Sequence, residues 1–231
     1  MELMTLTVTA PVGSASHKAA FDLKGRQYDY AGRSTILLVS VGAEYHEGEK
    51  FGATVDLLNR SEFGHVTVAV ADTLQRHNLE VPSARAYDES RRLGDQWVAR
   101  NRPLLDLLTA DIDILRWDDA LVDPRYPRAL SDVRAAYTSN TRYREAIDST
   151  IDRFVARRDS DAGDIDHVRH RCLTYLLEEV PIIQPLWAAE GYDFVVYPQQ
   201  ISAAMQATRD LFVEEGAAWL PLRFKKRKSA R

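Results

Sequence analysis

A short apolar run that ends in a serine constrains the fold more than any other stretch of this sequence. Residues 36–39 read Ile-Leu-Leu-Val with no polar residue between them, and Ser40 follows directly. A strand that is apolar on both faces is typical of the centre of a parallel sheet that helices cover on both sides. We therefore predict an α/β fold in which Ser40 lies at the carboxyl end of a central strand, the edge where such sheets bind ligands.

Later segments repeat the alternation of strand and helix. His65–Ala71 and Ile112–Trp117 predict two further core strands, and residues 192–198 predict another. Residues 48–60 have apolar side chains at helical spacing between the first two core strands. This order predicts a single Rossmann-like domain with a mostly parallel sheet. A short strand at Leu3–Thr9 and a loop at Asp159–Asp164 are also expected.

Two prolines are predicted to mark the ends of helices. Residues 83–102 should form a helix that Pro103 ends or kinks, because proline lacks an amide donor and crowds the preceding turn. Residues 165–180 should form another helix, which Pro181 closes because the residue before a proline is pushed out of the helical region.

Composition excludes several classes of protein. The single cysteine, Cys172, rules out an intrachain disulfide, and no Cys/His cluster has zinc-ligand spacing. Neither a G-x-G-x-x-G nor a Walker lysine motif is present. No apolar run approaches the roughly 18 residues that cross a bilayer, and no signal-like segment opens the chain. We expect a cytoplasmic monomer with no membrane segment, metal or cofactor.

Positive charge is concentrated at the end of the chain. Residues 1–222 contain 24 basic and 34 acidic side chains, a net charge of −10, whereas residues 223–231 contain six basic and no acidic ones. We predict one domain over 1–222 and a flexible basic tail over 223–231. Such a tail suits a polyanion such as nucleic acid, although a solvated tail without a partner is the open alternative.

Four side chains are candidates for chemistry. Ser40 and Tyr197 each end a predicted strand, and a serine there is either a nucleophile or simply the last residue of the strand. Tyr175 and Glu179 are four residues apart on one predicted helix and therefore share a face. A carboxylate near a helix C-terminus opposes the helix dipole, so we expect Glu179 to serve another purpose.

The predicted helix at 83–102 places a set of arginines opposite its apolar side, on which Leu93 and Trp97 lie. These arginines are Arg85, Arg91, Arg92, Arg100 and Arg102. Acidic residues are interleaved with them, so a phosphate-binding strip and a solvated face of mixed charge both remain open.

The order and spacing of these residues resemble the cyclodipeptide synthases. Members of that family have an apolar strand that ends in a nucleophilic serine, then a Tyr-x-x-x-Glu-x-Pro segment, then a strand that ends in a catalytic tyrosine. Ser40, residues 175–181 and Tyr197 match these in order, residues 72–78 resemble the family's segment after the second strand, and the match spans residues 34–215. Ala43 replaces an asparagine found in one branch, and the Tyr197-Pro198 pair fits the other branch.

The resemblance implies a domain similar to the catalytic domains of class I aminoacyl-tRNA synthetases, and an aminoacyltransferase that makes a cyclic dipeptide from two aminoacyl-tRNAs. Ser40 would carry the aminoacyl and then the dipeptidyl group in a ping-pong mechanism. Tyr175 and Glu179 would hold the first ammonium, and Tyr197 would relay protons. Because an aminoacyl ester is already activated, neither ATP nor a metal is implied.

The resemblance also implies where the substrates lie. Contacts with the substrate are expected from Ile36, Leu38, Ala43 and Pro198, and contacts with tRNA from the five arginines. Leu38 points to the same side as Ser40 and stands where many relatives have glycine, so we expect a small first amino acid, with alanine the best guess.

Two other functions are alternatives to this one. An ATP-dependent aminoacyl-tRNA synthetase is disfavoured, because Lys225–Ser229, which faintly resembles a synthetase signature loop, has no anticodon-binding domain after it. A non-catalytic RNA-binding protein, in which the basic residues matter and Ser40 does not, is the remaining alternative.

Overall fold

A single sheet forms the centre of the computed structural model, which describes residues 16–157 and 165–227. Within those ranges the strands are β1 (His17–Phe21), β2 (Ser34–Ser40), β3 (His65–Ala71), β4 (Asp111–Arg116), β5 (Phe194–Tyr197) and β6 (Ala218–Lys226). The helices are α1 (Gly48–Arg60), α2 (Ser83–Leu105), α3 (Trp117–Leu121), α4 (Tyr126–Ser139), α5 (Thr141–Val155), α6 (Ile165–Pro181), α7 (Trp187–Ala189) and α8 (Ala203–Phe212). Two 3₁₀ turns, Glu44–His46 and Thr73–His77, follow β2 and β3.

Strand β2 lies inside the sheet, whose order is β1-β6-β5-β2-β3-β4. It pairs in parallel with β3 over its whole length and with β5 on its other side. The pairs β3–β4 and β5–β6 are also parallel, and β1 runs antiparallel to β6. The predicted Rossmann-like α/β fold, with a mostly parallel sheet and a buried central strand, is therefore confirmed.

Alternation along β2 directs its side chains into two separate cores. Ile36 and Leu38 pack into the core that includes α4, α5, α6 and α8. Leu37 and Val39 pack into the opposite core, with α1 and α2. Because Ser40 is two residues after Leu38, its side chain points toward the first of these layers.

The chain remains helical beyond both of the prolines. Helix α2 continues past Pro103 to Leu105. Helix α6 includes Pro181 and leads directly into a π-helical turn, Ile182–Leu186. The α-helix thus ends at Pro181, one residue after the predicted end, but the chain does not leave the helical region there, because a wider π-helical turn follows. No helix within 16–157 or 165–227 has the length and hydropathy to span a bilayer.

The last strand crosses the domain boundary that was predicted after residue 222. Residues 223–226 belong to β6 and pair with β1, so that Lys226 lies opposite His17. These basic residues are part of the sheet and not the beginning of a flexible tail. Residues 228–231, Leu3–Thr9 and Asp159–Asp164 lie outside the described residues.

Candidate active site

A cavity of about 460 Å³ opens at the carboxyl end of β2. Its walls come from the end of β2 and the turn after it, from α5 and α6, and from the residues after β5. All four side chains predicted to carry chemistry line it, namely Ser40, Tyr175, Glu179 and Tyr197. The fold thus brings together residues that are far apart in the sequence.

Three hydroxyl groups form a chain in this cavity. The Ser40 Oγ atom lies 3.1 Å from the Tyr197 hydroxyl oxygen. The Tyr45 hydroxyl oxygen lies 3.0 Å from the same Tyr197 oxygen. Burial raises the pKa of Tyr197 well above its ordinary value, and the Tyr45 phenol adds to this effect. Tyr197 is therefore a neutral phenol near neutral pH, able to donate one hydrogen bond.

A tyrosine and a glutamate face the cavity from one side of α6. The Tyr175 hydroxyl donates to Glu179 Oε1 across 3.3 Å. Burial, with a smaller contribution from the charge of Glu178, raises the pKa of Glu179 to about 8, although the bond from Tyr175 acts in the opposite direction. Burial and the Glu179 carboxylate raise the pKa of Tyr175 well above its ordinary value. A cation beside Glu179 would favour its charged form, so the pair suits a ligand ammonium group.

A buried histidine that sequence reasoning missed contacts the backbone of Ser40. His46, in the turn Glu44–His46, is fully buried, and its Nδ1 atom lies 2.9 Å from the Ser40 amide nitrogen. Since an amide can only donate, Nδ1 must be the unprotonated ring nitrogen. Burial lowers the pKa of His46 to about 3. The Trp97 indole donates to the His46 carbonyl oxygen across 2.9 Å and ties the turn to α2.

The residues predicted to contact substrate fall into two groups. Leu38 and Ala43 line the cavity. Of the described residues, Ile36 and Pro198 are not in its wall. Ile36 is fully buried in the core, because it lies two residues below Leu38 along β2, which is about 7 Å further from the open end. The structure therefore does not place Ile36 where a substrate in this cavity would touch it.

Comparison with solved structures identifies the family. A scan against models of protein families finds no match, and a search of curated protein sequences finds none. A cyclodipeptide synthase (CDPS) from Fluoribacter dumoffii superposes with a TM-score of 0.83 and 33% identity, over 91% of this chain and 100% of that one. The chain belongs to the cyclodipeptide synthase family.

Other cyclodipeptide synthases share the fold at lower identity. AlbC from Streptomyces noursei is 19% identical, with a TM-score of 0.62 over 83% of this chain and 96% of its own. A synthase from Bacillus thermoamylovorans is 14% identical, with a TM-score of 0.66 over 94% and 99%. A Mycobacterium tuberculosis protein is 14% identical, with a TM-score of 0.63 over 86% of this chain and 88% of its own. Its structure is described as showing that cyclodipeptide synthetases are related to type I tRNA synthetases. The predicted family and its fold are thus confirmed.

In this cyclodipeptide synthase the five arginines predicted to meet tRNA are exposed along α2. Four of them pair with carboxylates: Arg91 with Asp118, Arg92 with Glu89, Arg100 with Glu47 and Arg102 with Asp106. Exposed pairs of this kind are worth about 0–1 kcal/mol. An incoming phosphate could therefore displace these carboxylates at little cost.

The synthase also holds a second glutamate, Glu178, in a cluster of donors. Its carboxylate accepts hydrogen bonds from Arg76, from His77 at 3.1 Å and from the Trp117 indole at 3.1 Å. Burial pushes its pKa up, but the bond from His77 and the charge of Arg76 outweigh burial, so the pKa is lowered. Glu178 therefore stays charged and ties α6 to the turn after β3. No sequence pattern beyond the adjacent Glu178-Glu179 pair indicates this role.

Proposed function

We propose that the protein joins the amino acids of two aminoacyl-tRNAs into a cyclic dipeptide, with Ser40 as the covalent carrier. Membership of the family supports this function. The observation that carries the mechanism is the hydroxyl of Ser40 at the cavity wall, 3.1 Å from the Tyr197 hydroxyl. The Tyr175–Glu179 pair in the same cavity supplies a place for an ammonium group.

In the first step Ser40 takes the aminoacyl group. Its oxygen attacks the carbonyl carbon of the ester, a C–O bond to serine forms as the bond to the ribose oxygen breaks, and the serine proton ends on the ribose oxygen. Glu179 pairs with the ammonium of the bound amino acid, and the Tyr175 hydroxyl holds the carboxylate in place. Because an opposite charge favours the carboxylate, binding of the ammonium lowers the pKa of Glu179.

In the next steps the dipeptide is built and returned to Ser40. The amine of the second aminoacyl-tRNA attacks the acyl carbon, so a peptide bond forms and the serine oxygen is released. Ser40 then attacks the ester of the resulting dipeptidyl-tRNA, releases the second ribose oxygen and carries the dipeptide. Each step exchanges one ester or amide bond for another, so none requires ATP or a cofactor.

Cyclisation frees the enzyme. Glu179 takes one proton from the ammonium of the first residue, which becomes a free amine. Burial raises the pKa of Glu179 when no cation faces it, so its carboxylate becomes a better proton acceptor as the charge of the ammonium is lost. The amine attacks the ester carbon, the bond to Ser40 breaks, and Tyr197 protonates the serine oxygen. Charged tRNA is a cytoplasmic substrate, so we place this reaction in the cytoplasm, with the chain acting as a monomer.

The test is product formation from charged tRNA, followed by mass spectrometry for a diketopiperazine. Ser40→Ala should lower product by at least about 1,000-fold, because it removes the acyl acceptor while the backbone contact with His46 can persist. Acid-quenched wild-type enzyme should carry the acyl group on Ser40. Ser61→Ala is the matched control, since the Ser61 hydroxyl bonds to the Leu57 carbonyl at the end of α1.

Two results would contradict the proposal. An active Ser40→Ala enzyme, or an adduct on another residue, would remove Ser40 from the mechanism. Binding of tRNA without any product from the wild type would favour the non-catalytic RNA-binding alternative.

A further inference from the structure

The three-hydroxyl chain contains one member to which the proposed mechanism gives no role, Tyr45. Its oxygen lies 3.0 Å from the Tyr197 oxygen, about as close as Ser40 lies on the other side. Tyr45 also lines the cavity and is only partly buried. It therefore extends the chain of hydroxyls from Tyr197 to a third position on the cavity wall.

Counting protons shows what Tyr45 does for Tyr197. Each of the three hydroxyls carries one proton, and two orders keep the Tyr197 proton in a hydrogen bond within the chain. In one order Tyr45 donates to Tyr197 and Tyr197 donates to Ser40. In the other order Ser40 donates to Tyr197 and Tyr197 donates to Tyr45. Without the Tyr45 oxygen, Tyr197 has no acceptor for the second order and no donor to support the first.

We propose that Tyr45 is a positioning residue that acts through Tyr197: its hydroxyl sets the direction of the Tyr197 hydrogen bond and replaces the proton that Tyr197 exchanges with Ser40. This inference rests on the proposed function. It adds Tyr45 to the machinery as the outer member of a relay.

The proton balance of the two chemical steps fits this role. During acylation the Ser40 proton moves to Tyr197, the Tyr197 proton moves to Tyr45, and the Tyr45 proton reaches the departing ribose oxygen through cavity water. During cyclisation the order reverses. The proton that leaves the attacking amine reaches Tyr45 through water, Tyr45 passes its proton to Tyr197, and Tyr197 protonates the serine oxygen as the C–O bond breaks.

The position of Tyr45 is fixed by packing and not by its hydroxyl alone. Its ring meets the Tyr197 ring edge-on, with centroids 6.0 Å apart, and the His46 ring edge-on at 4.7 Å. His46 in turn bonds to the Ser40 amide. One short turn therefore places both the backbone of the nucleophile and the outer hydroxyl of the relay. Phenylalanine at position 45 would keep the ring contacts and lose only the oxygen.

The test compares wild type with Tyr45→Phe and with Tyr137→Phe, which deletes a tyrosine hydroxyl bonded to Asp148. Tyr45→Phe should lower kcat for cyclic product about 10- to 100-fold and leave the KM for aminoacyl-tRNA unchanged. Covalent intermediates on Ser40 should accumulate. For the wild type, a plot of the rate against the fraction of D₂O in the solvent should be curved, since several protons move. For Tyr45→Phe the same plot should be linear. Tyr137→Phe should match the wild type in all respects.

A second variant keeps the hydroxyl and changes only its acidity. Fluorotyrosine at position 45 should shift the alkaline limb of the kcat profile to lower pH, which a purely structural role would not do. It also provides the test if Tyr45→Phe does not fold. Wild-type kcat and an unchanged isotope effect in Tyr45→Phe, or an unshifted limb with fluorotyrosine, would overturn the role of Tyr45 while leaving the proposed function intact. Absence of product from the wild type would overturn both.

Discussion

The Nδ1 atom of His46 accepts a hydrogen bond from the backbone amide of Ser40 across 2.9 Å, so the imidazole holds the main chain of the candidate nucleophile and not its hydroxyl. The other ring nitrogen, Nε2, is buried without a hydrogen-bond partner among the described residues. With a pKa of about 3, His46 is neutral at any pH where the enzyme would act. It stabilises the turn from strand to active site and is not the base that activates Ser40.

Acid should therefore destabilise the fold through His46. Between pH 6.5 and about 3 the unfolded chain binds a proton at this position that the folded chain does not, so stability present above pH 6.5 is lost as the pH falls. The loss should be on the order of 5 kcal/mol. His46→Gln retains an acceptor and cannot titrate, so its stability should depend less on pH in this range. Urea unfolding at a series of pH values measures the difference, and parallel curves would contradict the prediction.

Through Glu179 the stability of the fold should decrease as the pH rises, which is opposite to the effect of His46. Its pKa is raised from 4.5 to about 8, so the folded chain binds the additional proton between these values, and stability present below pH 4.5 is lost as the pH rises through about 8. Glu179→Gln keeps an acceptor for Tyr175 and carries no charge. Without bound substrate it should be more stable than the wild type at pH 9, by on the order of 5 kcal/mol, and equal to it near pH 4.

The neighbouring Glu178 provides a matched control for that experiment. Glu178→Gln removes the charge that pairs with Arg76 and His77, so it should be less stable than the wild type at neutral pH. Two adjacent glutamates would then respond to the same substitution with opposite signs. A stabilised Glu178→Gln would show that Arg76 and His77 do not offset the burial of the Glu178 carboxylate. A Glu179→Gln whose stability follows the wild type at all pH values would show that the pKa of Glu179 is not raised.

The sequence could predict the parts of the site that depend on regular periodicity. Residues 36–39 identified the central strand, and the spacing of Tyr175 and Glu179 placed both on one face of α6. His46 and Tyr45 could not be found this way, because they reach Ser40 and Tyr197 through an irregular turn and through contacts that depend on tertiary packing. The π-helical turn after Pro181 was missed for a related reason, since a proline normally indicates the end of helical structure.

Leu38 should limit the size of the first amino acid. It is 2% exposed and lines the cavity beside Ser40, so a large substrate side chain would have to displace it. Overpacking of that kind costs about 1–3 kcal/mol, or roughly 10- to 200-fold in rate. The wild type should therefore load alanine, or otherwise glycine or serine, and Leu38→Gly should admit leucine or phenylalanine. Analysis of the cyclic products from a mixture of charged tRNAs measures the change.

Leu37 offers the control for this substitution. It is the adjacent residue of β2, fully buried in the opposite core. Leu37→Ala and Leu38→Ala should each cost about 2–5 kcal/mol in stability, but only the second should broaden the choice of substrate. Efficient loading of phenylalanine by the wild type would show that Leu38 does not restrict the pocket.

The arginines of α2 should contribute to tRNA affinity and not to the choice of amino acid. Reversing the charge of Arg91 and Arg92 together should weaken binding about 10-fold or more. The slope of the logarithm of the binding constant against the logarithm of the salt concentration should fall by the amount expected for about two lost phosphate contacts. Arg128→Glu, on the exposed side of α4, serves as the control. Fluorescence anisotropy with labelled tRNA at several salt concentrations gives both quantities. Unchanged affinity and salt dependence would mean that the acceptor stem docks elsewhere.

The pairing of β1 with β6 determines when the sheet can be completed during synthesis. His17 is opposite Lys226, nearly the whole described chain later, so β1 has no partner in the sheet until the last strand has been made. Parallel pairing of β2, β3 and β4 requires only the first half of the chain, so these strands can pair before β1 and β6 do. Closure of so long a loop is entropically costly and slow compared with local pairing. On the ribosome the first described strand should therefore dock last, after the edge of the active site has already formed.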